Sequence, residues 1–79
     1  MLKGLYILNS DAYEKIYNDK IRLEIGRIVD IYAPPQTAES ISRNLTLLGQ
    51  ADVVFSGWGA PVMDEKFLEA APNLKAVFY

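Results

Sequence analysis

Ser56-Gly57-Trp58-Gly59 is the stretch of this chain best suited to meet a ligand. It follows the short apolar run Val53-Val54-Phe55 and leads to Ala60-Pro61. Two glycines and a proline bracket the only tryptophan. Glycine lets the backbone approach closely or take positive φ, and proline stops a strand pattern. A buried strand therefore ends in a tight loop that lifts a large aromatic to a sheet edge. In open α/β sheets ligands bind at such strand ends. Two roles are open to Trp58: covering the local core, as aromatics commonly do, or facing a ligand.

Bond-making chemistry is poorly supplied. The chain has no histidine and no cysteine. The usual general base, the thiolate nucleophile, disulfides and the common zinc sites are therefore excluded. Asp64-Glu65 is the nearest thing to a carboxylate pair, and its place before an apolar stripe marks it as a helix cap. Gly57-Trp58-Gly59 supplies only part of G-x-G-x-x-G, with Pro61 close behind, so the loop does not make a dinucleotide fingerprint. No P-loop lysine is present. Position 55 or 56, at the end of the third strand, holds Phe or Ser and not a phospho-accepting acid. Of the five tyrosines, four stand in strand or helix positions that suit packing.

The elements that must position the loop are those of one small domain. A chain of 79 residues buries only roughly 60–65% of the surface its unfolded form exposes. The 51% hydrophobic content sets it apart from a disordered tail. Eight basic against ten acidic residues, net charge −2, leave no basic footprint for nucleic acid and no polybasic run for a membrane surface. The N-terminus has no signal-peptide pattern, and no apolar run approaches transmembrane length. The lack of cysteine fits a cytoplasmic setting.

Residues 3–8 (K-G-L-Y-I-L) read as the first strand. Asn9-Ser10-Asp11 then offers N-cap side chains. Tyr13, Ile16, Tyr17 and Ile21 recur at three- and four-residue steps and predict a helix, with a break at Asn18-Asp19 and an end at Gly26. Residues 28–32 form the second strand, where Asp30 points to an edge position. Ala33-Pro34-Pro35 ends it. Thr37 caps a second helix with Glu39 in its first turn. Ala38, Ile41, Leu45 and Leu48 give it a face, Asn44 is a point of fraying or turning, and Gly49 closes it. Residues 53–55 are the third strand. Asp64 caps a third helix with a Phe67, Leu68, Ala71 stripe, ended by Pro72-Asn73. Residues 75–79 are the fourth strand.

Strands alternating with helices imply an α/β fold with a parallel sheet and right-handed crossovers. The expected architecture is βαβαβαβ, flavodoxin-like (Rossmann-type), with strand order 2-1-3-4. In that order Asn9-Ser10 and Ser56 to Gly59 face one crevice. A parallel sheet is normally covered on both faces, and three helices do not cover four strands evenly. The sheet thus reads as truncated after the fourth strand, or as completed by a partner.

From Ala51 to Tyr79 the chain resembles the N-terminal part of the D-isomer-specific 2-hydroxyacid dehydrogenases. An apolar strand, a polar loop, a helix ending in Ala71-Pro72-Asn73-Leu74-Lys75, and a further apolar strand carry the likeness. Residues 31–40 (I-Y-A-P-P-Q-T-A-E-S) add to it. The resemblance implies a piece of the substrate domain of an NAD- or NADP-dependent enzyme. In that family a hydride passes between nicotinamide and C2 of a 2-hydroxy or 2-keto acid. The family's arginine, histidine and cofactor fingerprint have no counterpart here, so the piece itself is expected to be inactive and to bind no cofactor. Ser56, Gly57, Trp58 and Gly59 fall in the region that lines the substrate side of the cleft. There Ser56 and the backbone around Gly57 would make polar contacts, and Trp58 a wall. The competing expectation is a stand-alone α/β module that binds a partner through the edge of its fourth strand. Both expectations include self-association, because apolar surface is left uncovered.

Overall fold

The computed structural model describes residues 2–61 and 63–78. Four strands, β1 (Leu2–Ile7), β2 (Val29–Ile31), β3 (Val53–Ser56) and β4 (Ala76–Phe78), form one sheet. All neighbours are parallel and the order is β2-β1-β3-β4. This is the flavodoxin-like α/β arrangement that the alternation of strand and helix patterns predicts. The fourth strand's expected last residue, Tyr79, lies outside the described residues.

Register decides the faces. Tyr6 stands opposite Phe55, and Phe55 opposite Phe78. Side chains alternate along a strand, so these three share one face while Leu5, Ile7 and Val54 share the other. On the second of these faces, Leu5, Ile7 and Val54 pack with Ile41, Leu48, Phe67 and Ala71. Those partners come from α3 (Ala38–Ser42), a 3-10 helix (Leu45–Gln50), α4 (Glu65–Ala70) and the α4 C-cap, Ala71. On the first face, Tyr6, Leu8, Val53 and Phe55 pack with Ala12 and Tyr17 of α1 (Ser10–Ile16) and its C-cap. Ile25 of α2 (Asp19–Ile28) joins that side. Gly4 lets β1 and β2 close up, because a Cβ there would lie 2.5 Å from Val29 Cγ1.

Local chemistry explains the helices. Asn9 Oδ1 accepts from Asp11 N at 3.0 Å, and Asn18 Oδ1 accepts from Ile21 N at 3.0 Å. Two N-caps in succession divide what would otherwise be one helix, as Asn18-Asp19 predicts. Arg22 bridges the division: it pairs with Asp19 and Glu14 and sits 4.6 Å over the Tyr13 ring. Gly26 does not end α2, contrary to expectation. The helix runs on to Ile28 and passes straight into β2. Gly26 is exposed with nothing within 4 Å of a would-be Cβ, so no turn needs it.

Thr37 caps α3 through a reciprocal pair with Ser40: Thr37 Oγ1 accepts from Ser40 N at 3.1 Å, and Ser40 Oγ from Thr37 N at 2.9 Å. The helix expected over residues 38–48 divides at Asn44, and Gly49 lies inside the 3-10 helix. Asp64 Oδ1 accepts from Phe67 N at 3.1 Å and starts α4. Phe67 is buried as expected, but Leu68 is 54% exposed and leaves the stripe.

The amino end of the sheet is tied shut. Asp52 carries the tie: its Oδ2 accepts from Lys3 N, its N donates to Lys3 O, and its O accepts from Lys75 N, at 2.7–2.8 Å. No helix among the described residues is long and apolar enough to cross a membrane.

Candidate functional site

The carboxyl end of the sheet is built from two chain segments converging on the end of β1. Gln36, just past the proline pair, lies parallel to Ile7, with Leu8 N donating to Gln36 O at 2.9 Å and Gln36 N to Tyr6 O at 2.8 Å. On the other flank Asn9 N donates to Trp58 O at 2.7 Å. The loops after β1 and β3 are therefore joined by backbone, at the point where strand order reverses. Asn9 and Ser10 are exposed between Gln36 and Trp58.

The four residues singled out in the sequence are adjacent but divide by depth. Ser56 is wholly buried. Its hydroxyl donates to Ile7 O at 2.9 Å, and its carbonyl accepts from Tyr17 Oη at 2.9 Å. The hydroxyl could donate to a ligand only by giving up the first bond, and at 0% exposure it does not reach the surface. Gly57 is buried too, and a Cβ there would lie 2.7 Å from Ile16 Cδ1 and 3.0 Å from Leu8 Cδ1. Its small size lets α1 seat against the strand end.

Trp58 and Gly59 reach the surface. Ala60 N donates to Gly57 O at 3.2 Å, closing a turn with Trp58 and Gly59 at its tip. Gly59 has φ +79°, and a Cβ would lie 2.7 Å from Asn9 Cβ. Both conformation and space demand glycine there. Trp58 is 60% exposed, so covering the core is not its main task. An indole held out on a turn whose backbone is fixed offers a flat apolar wall.

Beneath the mouth lies an aromatic cluster. Tyr6 stands 5.0 Å from Tyr17 and 5.1 Å from Tyr13, both edge-on, and Phe55 is 5.4 Å away. Burial pushes the Tyr6 and Tyr17 hydroxyls above the usual phenol range. They stay protonated near neutrality. No acid or base with a shifted pKa faces the mouth from the four residues 56–59, none of which titrates. What residues 56–59 present at the surface is an indole face and the backbone of a tight turn.

Gln36 is the mouth residue that sequence reasoning passed over. Its side chain donates to Pro34 O and accepts from Ser40 Oγ, both at 2.8 Å. A polar residue directly after a proline pair was the available signal, since the prolines turn the chain back toward β1. A hollow of about 320 Å³ opens away from these residues, between α3 and α4. Ala38, Ile41, Leu45, Pro61 and Phe67 make it apolar, and Asp64 at its rim is engaged in capping α4.

Comparison of the chain with protein-family models, with curated proteins and with solved structures finds no match.

Proposed function

We propose that this chain forms the substrate-facing N-terminal part of an NAD- or NADP-dependent D-2-hydroxyacid dehydrogenase. One observation carries the proposal beyond the sequence resemblance: the Asn9 N to Trp58 O bond of 2.7 Å. It fixes an exposed aromatic turn at the switch point of a β2-β1-β3-β4 sheet, where doubly wound folds place their ligands. Trp58 would stand against the side chain of a small 2-keto or 2-hydroxy acid. Backbone of the exposed tip, Trp58 and Gly59, would meet its polar end, and the buried Ser56 and Gly57 would hold the strand end from beneath.

The reaction needs a hydride moved from the nicotinamide to C2 of the keto acid, and a proton delivered to the resulting alkoxide. This chain, without histidine, supplies neither group. Cofactor and proton donor belong to the rest of the enzyme, in the cytoplasm, and the 79-residue chain alone is inactive. Two assays test this. The full product of the gene should oxidise NADH or NADPH in the presence of 2-keto acids, and the 79-residue chain alone should bind neither nucleotide. Failure of every 2-keto acid tried, or nucleotide binding by the short chain, would defeat the proposal.

A second reading has its own observation. Among the described residues β4 pairs only with β3, and Val77 and Phe78 are 38% and 55% exposed. Such an edge is a template for another chain. The chain would then be a small module that binds a partner, or a second copy of itself, along β4. A stop codon directly after Tyr79 in the native gene favours this reading. An open frame leading to a G-x-G-x-x-G and a later histidine favours the dehydrogenase.

A further inference from the structure

We propose that α1 is the positioning element of the Trp58 turn, and that Tyr17 and Asn9, the two residues that cap it, are its grips. Asn9, the N-cap, turns its side chain to Asp11 N and its own backbone N–H to Trp58 O. Tyr17, the C-cap, closes α1 by donating its backbone N–H to Tyr13 O at 3.0 Å. Its hydroxyl then reaches across to Ser56 O, the last carbonyl of β3 before the turn. Both ends of one helix thus hold the two ends of Ser56–Trp58. The last residue of the helix makes a third contact, because Ile16 Cδ1 fills the space a Gly57 side chain would need.

A helix of seven residues is far below the roughly 12–15 residues at which isolated helices become even marginally stable. Its order must come from what it touches. The turn is in the same position: its tip residue Trp58 is exposed, and among the described residues its only backbone tie outside itself is to Asn9. Helix and turn therefore open together as one local unit. Substrate preference at Trp58, which rests on the dehydrogenase proposal, would then respond to changes in α1 that touch no ligand.

The test needs no ligand, so it stands or falls separately from that proposal. Amide hydrogen exchange is measured on the whole chain and on Tyr17→Phe. Loss of one buried hydrogen bond should speed exchange at Asn9 and Tyr13 by about fivefold. The Asp52 and Lys75 amides, bonded at the opposite end of the sheet, should keep their rates under conditions where they exchange by local opening of that end and not by global unfolding. The anisotropy of Trp58, the sole tryptophan, should fall. Uniform acceleration at all four sites with unchanged anisotropy would make Tyr17 a general stabiliser and overturn the inference. If the variant does not fold, the unaltered chain decides: equal opening free energies at Asn9 and Tyr13 support one unit. A much faster Asn9 amide contradicts it.

Discussion

Tyr6 and Tyr17 sit 5.0 Å apart in one cluster, yet their hydroxyls differ. Tyr17 Oη has the Ser56 carbonyl, while the buried Tyr6 Oη has no partner among the described residues. A buried polar atom without a bond is a liability, and removing it relieves the desolvation. Tyr6→Phe should leave stability unchanged or raise it slightly, whereas Tyr17→Phe should cost about 1 kcal/mol. Urea unfolding of both variants checks this, and equal losses would contradict it. Three tyrosines also set the alkaline limit. Burial raises the pKa of Tyr6, Tyr17 and Tyr32 in the folded chain, and for Tyr32 the Asp52 charge adds to it. Below the ordinary phenol value of about 10 both folded and unfolded chains are protonated. Above it the unfolded chain loses protons first, so stability falls as pH rises through the folded pKa values. The melting temperature should drop above about pH 10, less steeply in Tyr17→Phe. A flat profile there would count against the buried cluster. At this scale the sequence was informative about residue type: lone tryptophan, paired glycines, absent histidine. It could not show that Ser56 faces inward, because that depends on which way the pleat turns after Phe55.

Caps proved more legible than helix lengths. Asn9, Thr37 and Asp64, expected as caps, and Asn18, expected only as a break, all accept from the first turn that follows them. Short polar side chains next to apolar periodicity report a local geometry, so they can be read without tertiary context. Asp64 holds the start of α4, whose Phe67 packs under β1 and β3. Asp64→Ala should therefore cost about 1 kcal/mol, and Asp64→Asn much less. Urea midpoints decide it, and an unchanged midpoint for Asp64→Ala would show that packing alone sets α4. Ends were harder. Glycine at position 26 matched a stop signal, but Ile25 and Val29 continue to find the sheet, and packing overrode propensity. The helix over residues 38–48 carried a helical stripe, yet Asn44 takes φ −142° and the chain tightens to 3-10 beyond it. Ile41 and Leu48 still reach the same core, so the stripe was right about burial and wrong about continuity.

For the whole molecule, the alternation of strands and helices was enough to expect a parallel sheet in the order the structure shows. Handedness of crossovers leaves few alternatives once the elements are known. The join between Asn9 and Trp58 was not legible, because it arises only when β1 and β3 lie side by side in register. Among the described residues β4 pairs only with β3, and that edge bears on association. If the 79-residue chain pairs with itself there, Val77→Lys should convert a concentration-dependent dimer to a monomer in sedimentation experiments. A wild-type chain that stays monomeric at every concentration would exclude that contact. On the proposed function, the mouth between β1 and β3 receives the substrate, with Trp58 as its wall. The most direct measurement is the steady-state kinetics of Trp58→Ala in the full product of the gene. KM for its preferred 2-keto acid should rise by about tenfold, or the order of preference among substrates should change. Kinetics unchanged on every substrate the wild-type enzyme accepts would contradict it.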